Sequence, residues 1–504
     1  MDRRQNYSLQ PSESKEPLPL QAVYAVSDST DNKWSNNADN QNVAEIKTGK
    51  RTMGRFMLLL FIMVSLIYSF ILAQLVTTQY MYAYIRRDRF PNVSFSSNES
   101  KCEINITSQL FHDQQTVQKL AAQLNIYLDL AKGIPGTLSI FLYGSFSDRY
   151  GRKIILLIPF IANMLKCILI TLGTYLNWNI YVFIIFSFID GVGGGWVLAM
   201  SIVMSMVADI TEPGKTRTFA IAMTELSLGF GLIIGGFTSG FIIRAKGFTY
   251  VLVISSCCSL VPILLLIFVQ ETLRKPKDDQ RKSVAKLAVD IYVFYFRDIS
   301  INGKRKIFLV CMVIYFLNIQ AAIGSHGIET LYGLNSPFCW SSVEVGNYAA
   351  INHGLPFVTG MLLFRPLQWC LEETLIAVLA VLSNFTGMVL EALSYTTLML
   401  FFVPVLSFAR TMAVPVLRGV MSRLTPQDKQ GSMFGGMAIV ETFCSLFGGV
   451  ASNAIYGETV DTFRGTAFLV LAAYLFLGFL LAILLHWFIR RLNKDKPMKG
   501  YSKT

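Results

Sequence analysis

The chain has 504 residues, 53% hydrophobic and only 15% charged, with a mean hydropathy of +0.47. A water-soluble domain needs about a quarter charged residues to cover its surface, so a soluble globular protein is excluded and the apolar surface must face membrane lipid. The formal charge of +12 sits in short basic runs between apolar blocks; that is the pattern of cytosolic loops, and it excludes nucleic acid as the partner.

In chain order, residues 1–55 are polar and rich in Asn, Ser and Asp, a composition that predicts a disordered tail. Lys47, Lys50, Arg51 and Arg55 precede the first apolar stretch and place that tail in the cytosol. A hydrocarbon core needs roughly 20 apolar residues in helical form. Stretches of that kind predict a first bundle over 56–270, with spans near 56–80, 123–143, 154–176, 180–207, 218–243 and 249–270. A polar, basic linker follows over 271–306, its middle (Val284 to Phe296) suited to an amphipathic surface helix. A second bundle over 307–489 has spans near 307–329, 346–364, 374–395, 397–419, 432–456 and 465–489, and residues 490–504 form a basic tail. The expected fold is therefore an all-α membrane protein of twelve transmembrane helices in two six-helix bundles, with both termini cytosolic.

That topology puts residues 81–122 outside. Glycosylation sequons at Asn92, Asn98 and Asn105 crowd into this stretch, as a lumenal or extracellular loop requires. Arg86, Arg87 and Arg89 in the same loop run against the charge rule, but the remaining loops follow it.

Between the second and third spans lies Gly144-Ser-Phe-Ser-Asp148-Arg149-Tyr-Gly151-Arg152-Lys153, a full match to the G-x-x-x-D-R-x-G-R-K signature of the major facilitator superfamily. Its glycines permit a tight turn and close helix approach. Asp148 can accept from Arg residues or face a helix amino terminus. Such a cluster can hold one conformation of a rocking transporter and release in the other; the alternative is a basic loop that only sets orientation. The corresponding loop of the second half, Phe364 to Glu373, lacks the pattern.

Further strings resemble a narrower family, the proton-coupled folate transporter family (solute carrier family 46). They are Thr77-Thr-Gln-Tyr80, Ile134-Pro-Gly136, Ala208-Asp209 before Arg217-Thr-Phe219, Leu331-Tyr332 followed by Ser336-Pro-Phe-Cys-Trp340, and Pro415-Val-Leu-Arg418. The resemblance covers residues 65 to 485 and implies secondary active transport, with protons and a small organic anion as partners. Folates, steroid conjugates, muropeptides and cyclic dinucleotides are the solutes it suggests, and a plasma or endolysosomal membrane is the location. Two departures separate this chain from the folate-transporting pattern: Gly195 stands where that pattern has an aspartate and Ala322 where it has a histidine, with His326 one turn on. Of the eight cysteines, only Cys102 and Cys339 fall in outside loops, where disulfides persist. The family joins its first and fourth outer loops in the same way, which implies a Cys102–Cys339 disulfide.

Ionisable residues inside spans are costly and mark function or structural ion pairs. Glu225 lies seven residues into the fifth span, and Asp190, Arg410 and Glu441 fall near the midplane. Arg418 ends the tenth span, and His326 and His353 are titratable groups in the second bundle. Burial favours the protonated form of a carboxyl, which lets it load and release a proton. For Glu225 and Arg418 the resemblance implies transport roles; Glu441, Asp190, Arg410 and His326 are either proton-pathway or structural residues. The glycines Gly191, Gly193, Gly194 and Gly195, and the spaced pairs Gly231/Gly235 and Gly236/Gly240, are expected to pack helices, or in the first group to unwind one around a ligand. Pro404 and Pro415 bracket Arg410 and are expected to bend the tenth span. No ATP-binding loop, metal-binding HExxH or GxSxG element stands in a supporting context; the sequence calls for neither an enzyme nor a cofactor or metal. A transporter-fold sensor that binds solute without moving it is the competing reading.

Overall fold

The computed structural model describes residues 31–91, 107–212, 215–273, 284–297, 304–426 and 429–494. Asn92, Asn98, Asn105 and Cys102 lie outside them, as do the side chains of Asp148 and Arg149. Every regular element among the described residues is helical. Residues up to Gly54 form one unit and those from Arg55 onward a second, which carries the membrane region.

The first helix, α1 (Asp31–Arg89), begins far upstream of its apolar stretch. Residues 31–55, expected to be disordered, are thus helical: once a long helix exists, each added residue gains a hydrogen bond without a new nucleation cost. The first bundle continues with α2 (Gln109–Tyr150), α3 (Arg152–Tyr175), α4 (Phe183–Val192), α5 (Gly195–Ile210), α6 (Lys215–Lys246) and α7 (Phe248–Phe268). The linker helix is α8 (Val284–Phe296), where the amphipathic pattern placed it. The second bundle comprises α9 (Arg305–Leu334), α10 (Ser342–Ala349), α11 (Leu355–Cys370), α12 (Glu373–Ala392), α13 (Thr397–Leu406), α14 (Ala413–Leu424), α15 (Gln430–Thr459) and α16 (Thr466–Lys494).

Ten helical segments among the described residues are long and apolar enough to cross a membrane. Two of the twelve expected spans, α2 and the α10–α11 pair, fall short of that apolarity. The reason is polar residues within the spans: α2 carries Asn125 and Lys132 in its apolar stretch, and the second pair buries Asn352 and His353. These groups find partners on neighbouring helices instead of lipid.

Three expected spans are interrupted. The fourth breaks into α4 and α5 at Gly194 and Gly195, whose φ values of +82° and +58° are costly for any residue with a Cβ. The tenth breaks into α13 and α14 at residues 407–412, between the two prolines. The eighth carries a π-helical turn over Ala350–Gly354 that no sequence signal announced.

The ends of the bundle can be told apart by contacts. Arg55, Arg152, Gln270 and Glu271 meet at one end, here called the motif end. The opposite end holds the seal between the bundles. There Gln114 and Gln115 each donate to Asn335 Oδ1 at 3.1 Å, and Tyr456 donates to Gln118 at 3.3 Å. Nearby, Gly240 of α6 lies so close to α10 that a Cβ would come within 2.5 Å of the Ser342 carbonyl and 2.7 Å of Val343 Cα. Gly236 meets Ala350 in the same way, whereas Gly231 and Gly235 receive Ile67 and Ile71 of α1. All four glycines therefore pack helices, two of them across the bundle interface. The Ser336–Trp340 loop caps this end, with Trp340 fully buried and its indole N–H donating to Thr397 at 3.0 Å.

Candidate transport site

A central cavity of about 250 Å³ lies between the bundles. Its wall is mostly apolar, with Ile67, Phe70, Trp196, Leu232 and Phe357 among its lining, and its ionisable lining groups are Asp129, Lys132 and His326. Three charged clusters surround it.

The first spans both bundles. Arg418 of α14 places Nη1 at 3.4 Å from Glu225 Oε1 of α6. Its Nη2 donates to Glu441 of α15 and, at 2.9 Å, to the hydroxyl of Tyr315 on α9. Tyr315 in turn donates to Glu441. Glu225 lies one turn from the cavity residue Leu228, and Glu441 is adjacent to Thr442, so this bridge borders the cavity on its motif-end side. Charge-assisted bonds to one guanidinium fix its position, because its donors form a rigid fork.

The second cluster belongs to the first bundle. Asp190 of α4 is almost fully buried and accepts from Lys166 of α3 at 2.7 Å, while Lys132 of α2 stands 3.6 Å from the same oxygen. Both ammonium groups lie over the Phe70 ring, at 4.7 Å for Lys132 and 5.2 Å for Lys166. The broken helix positions this group: Gly191, Gly194 and Gly195 line the cavity beside Lys132.

The third cluster lies in the second bundle. His326 of α9 stacks on His353 of the π-helical turn, with ring centroids 3.6 Å apart. His353 Nε2 is 2.7 Å from Glu329 Oε2. Tyr348 donates to the fully buried Glu391 carboxylate at 2.9 Å, and Arg410 donates to the Asn352 carbonyl. His326 reaches both this cluster and the central cavity.

Residues 119–449 match the profile of the Major Facilitator Superfamily. A lysosomal proton-coupled steroid conjugate and bile acid symporter, SLC46A3 of Pongo abelii, is 30% identical over 410 residues, covering 80% of this chain and 88% of that protein. The chain belongs to the major facilitator superfamily, in its solute carrier 46 family. A proton-coupled folate transporter of Bos taurus is 25% identical over 363 residues, covering 72% of this chain and 78% of its own. Among solved structures, the human organic anion transporter MFSD10 aligns with a TM-score of 0.57 at 15% identity, over 85% of this chain and 99% of its own. A D-xylose–proton symporter aligns at 0.59 and 14%, over 85% and 96%; these likenesses concern the fold. Members of this family are multi-pass membrane transporters, not enzymes, and so is this protein.

The superfamily loop is built at the motif end, between α2 and α3. Arg152 donates through Nε to Asp209 at 2.6 Å, and the backbone N–H groups of Arg152 and Lys153 donate to the Glu271 carboxylate at 3.0 and 3.1 Å. Lys153 Nζ donates to the Ile267 carbonyl at 3.0 Å. Burial pushes the Glu271 carboxyl up, but the backbone N–H groups of Leu273, Lys153, Arg152 and Thr272 outweigh it and hold the group below its ordinary range.

The six candidate transport residues therefore do not form one constellation. Glu225, Arg418 and Glu441 meet; Asp190 stands apart with two lysines; His326 and Arg410 belong to the third cluster. Sequence reading missed Lys132, Lys166, Asp129, Glu329 and Glu391, as well as Tyr315 and Tyr348. The charged five carry a legible signal, since each is an ionisable residue inside an apolar stretch; the two tyrosines carry none.

Proposed function

We propose that the protein is a proton-coupled symporter of a small organic anion that works by alternating access through twelve spans, with the motif end and both termini cytosolic. The observation that carries this reading is the Arg418 bridge, one guanidinium held by a carboxylate from each bundle at the edge of the central cavity. Proton binding to Glu225 removes the charge that ties Arg418 to the first bundle, so the solute-loaded bundles rock only with that proton aboard, and the emptied carrier returns with neither proton nor solute. In the state seen here the end opposite the motif is sealed, and proton and solute would leave together on the motif side. The location inferred is a membrane facing an acidic space, endolysosomal or plasma membrane. The named solutes of the relatives, steroid conjugates, bile acids and folate, support an organic anion. His326, with His353 and Glu329, is the reserve proton site should Glu225 prove structural.

The test is flux. Purified protein in vesicles should accumulate a labelled organic anion when the outer side is acidic, and accumulation should collapse with a protonophore. Saturable binding without any flux would instead establish the sensor reading.

A further inference from the structure

Away from the transport site, and resting on the cytosolic placement of the motif end, we propose that α8 is a docking surface for the anionic face of a lipid bilayer. The helix is apolar on two sides. Its inner side, Ile291, Phe294 and Tyr295, packs on the protein. Phe294 meets Phe308 of α9 edge-on at 5.6 Å, and the Tyr295 hydroxyl donates to the Met433 carbonyl of α15 at 2.8 Å. Gly435 and Gly436 make room for it: a Cβ on Gly435 would stand 2.7 Å from Ile291 Cδ1, and one on Gly436 would collide with the Tyr295 ring. Its outer side is Val289, Tyr292, Val293 and Phe296, a stripe at the i, i+3, i+4, i+7 spacing of one helix face, each residue between 39% and 57% exposed. An exposed apolar stripe of that kind needs a cover.

Depth and charge say what the cover is. Gly435 lies five residues beyond Gln430, the start of α15, and Phe308 three beyond Arg305, the start of α9. At 1.5 Å per residue, α8 therefore sits roughly 5–8 Å inside the ends of those helices, the depth of an interfacial helix. Tyr292 and Phe296, with rings 5.3 Å apart, are residue types that settle at that level. The flanks are basic. Residues 274–306 hold ten Lys and Arg against four Asp, and of these Arg297, Lys304 and Lys306 form no ion pair with another described residue. A neutral bilayer covers the stripe alone, whereas anionic headgroups also meet the cations. The helix α15, which α8 grips, carries Glu441 of the Arg418 bridge, so lipid that seats α8 holds the bundle in which Arg418 is anchored.

The experiment places the full-length protein in nanodiscs of phosphatidylcholine alone or with a third of the lipid as phosphatidylserine. Wild type should melt about 3 °C or more higher in the anionic discs, because a partner that binds the folded state stabilises it. Arg297→Gln/Lys304→Gln/Lys306→Gln should lose at least two thirds of that gain while matching wild type in phosphatidylcholine. Val293→Cys, a change on the exposed stripe that carries the test if the triple variant does not fold, should react with a water-soluble maleimide at least fivefold more slowly in the anionic discs. That rate is read by peptide mass spectrometry against the exposed native Cys370. An equal gain in the triple variant, labelling at residue 293 that ignores lipid charge, or the same gain from inorganic phosphate added to phosphatidylcholine discs would overturn the proposal. Both disc leaflets carry the same lipid, so these outcomes do not depend on orientation. The cytosolic placement has its own test: a tag at the carboxyl terminus should be reached by antibody once the plasma membrane alone is permeabilised, and a tag reached only from the outer or lumenal side would overturn that placement.

Discussion

Arg418 stands 3.4 Å from Glu225 across the interface between the two bundles, while its other nitrogen is held by Glu441 and Tyr315 of its own bundle. The arginine is thus anchored on one side and releasable on the other. Glu225→Gln should abolish acid-driven accumulation, by tenfold or more, yet spare substrate exchange, which needs no net proton movement. Counterflow assays beside pH-driven uptake check this; a variant that still concentrates substrate at acidic outer pH makes Glu225 structural.

Asp190→Asn should be a stability mutation first. It leaves the buried Lys166, with the half-buried Lys132 beside it, without the carboxylate they share, a loss of roughly 3–5 kcal/mol by analogy with broken buried ion pairs. The melting temperature in detergent should fall clearly, and the loss should be smaller in the Asp190→Leu/Lys166→Met double variant. An unchanged melting temperature would place Asp190 outside the structural core.

Gly240→Leu should block closure of the end opposite the motif. Its side chain has no room against Ser342 and Val343, where even a Cβ comes within 2.5 Å of backbone oxygen. Transport should drop at least tenfold while cell-surface or organelle expression persists. Retained transport would mean that α6 and α10 can separate at little cost.

Glu271 gives a pH signature at the motif end. Its carboxyl is held below the ordinary value of 4.5, so the clamp on the 151–153 turn is present in full above that value and is lost as pH falls through the lower folded value. Glu271→Gln should lower the melting temperature near neutral pH, and the difference from wild type should shrink below pH 4.5. A pH-independent difference would assign Glu271 a packing role.

Cys102 should be disulfide-bonded to Cys339. The other six cysteines are free thiols in the structure. Non-reducing peptide mapping of protein from the secretory pathway checks the pairing, and recovery of both as free thiols refutes it. The same preparation should shift on enzymatic deglycosylation through Asn92, Asn98 or Asn105.

Much of this protein was determined by its sequence alone. Apolar stretches of membrane length dictate helices, because backbone groups in lipid must bond within their own segment. The Gly144–Lys153 string identifies the superfamily turn, and Ser336–Trp340 the family loop. Glu225 and Arg418 were legible because an ionisable residue in an apolar stretch stands out by its cost. What only the tertiary structure decided is which charges meet. Arg418 and Glu225 are 193 positions apart, and Lys132 finds Asp190 only because α2 crosses the broken helix at Gly194 and Gly195. Tyr315 lies beside Arg418, and His353 against Glu329, for the same reason. Partner choice between helices is set by close packing at their crossings, and periodicity along one chain carries no record of it.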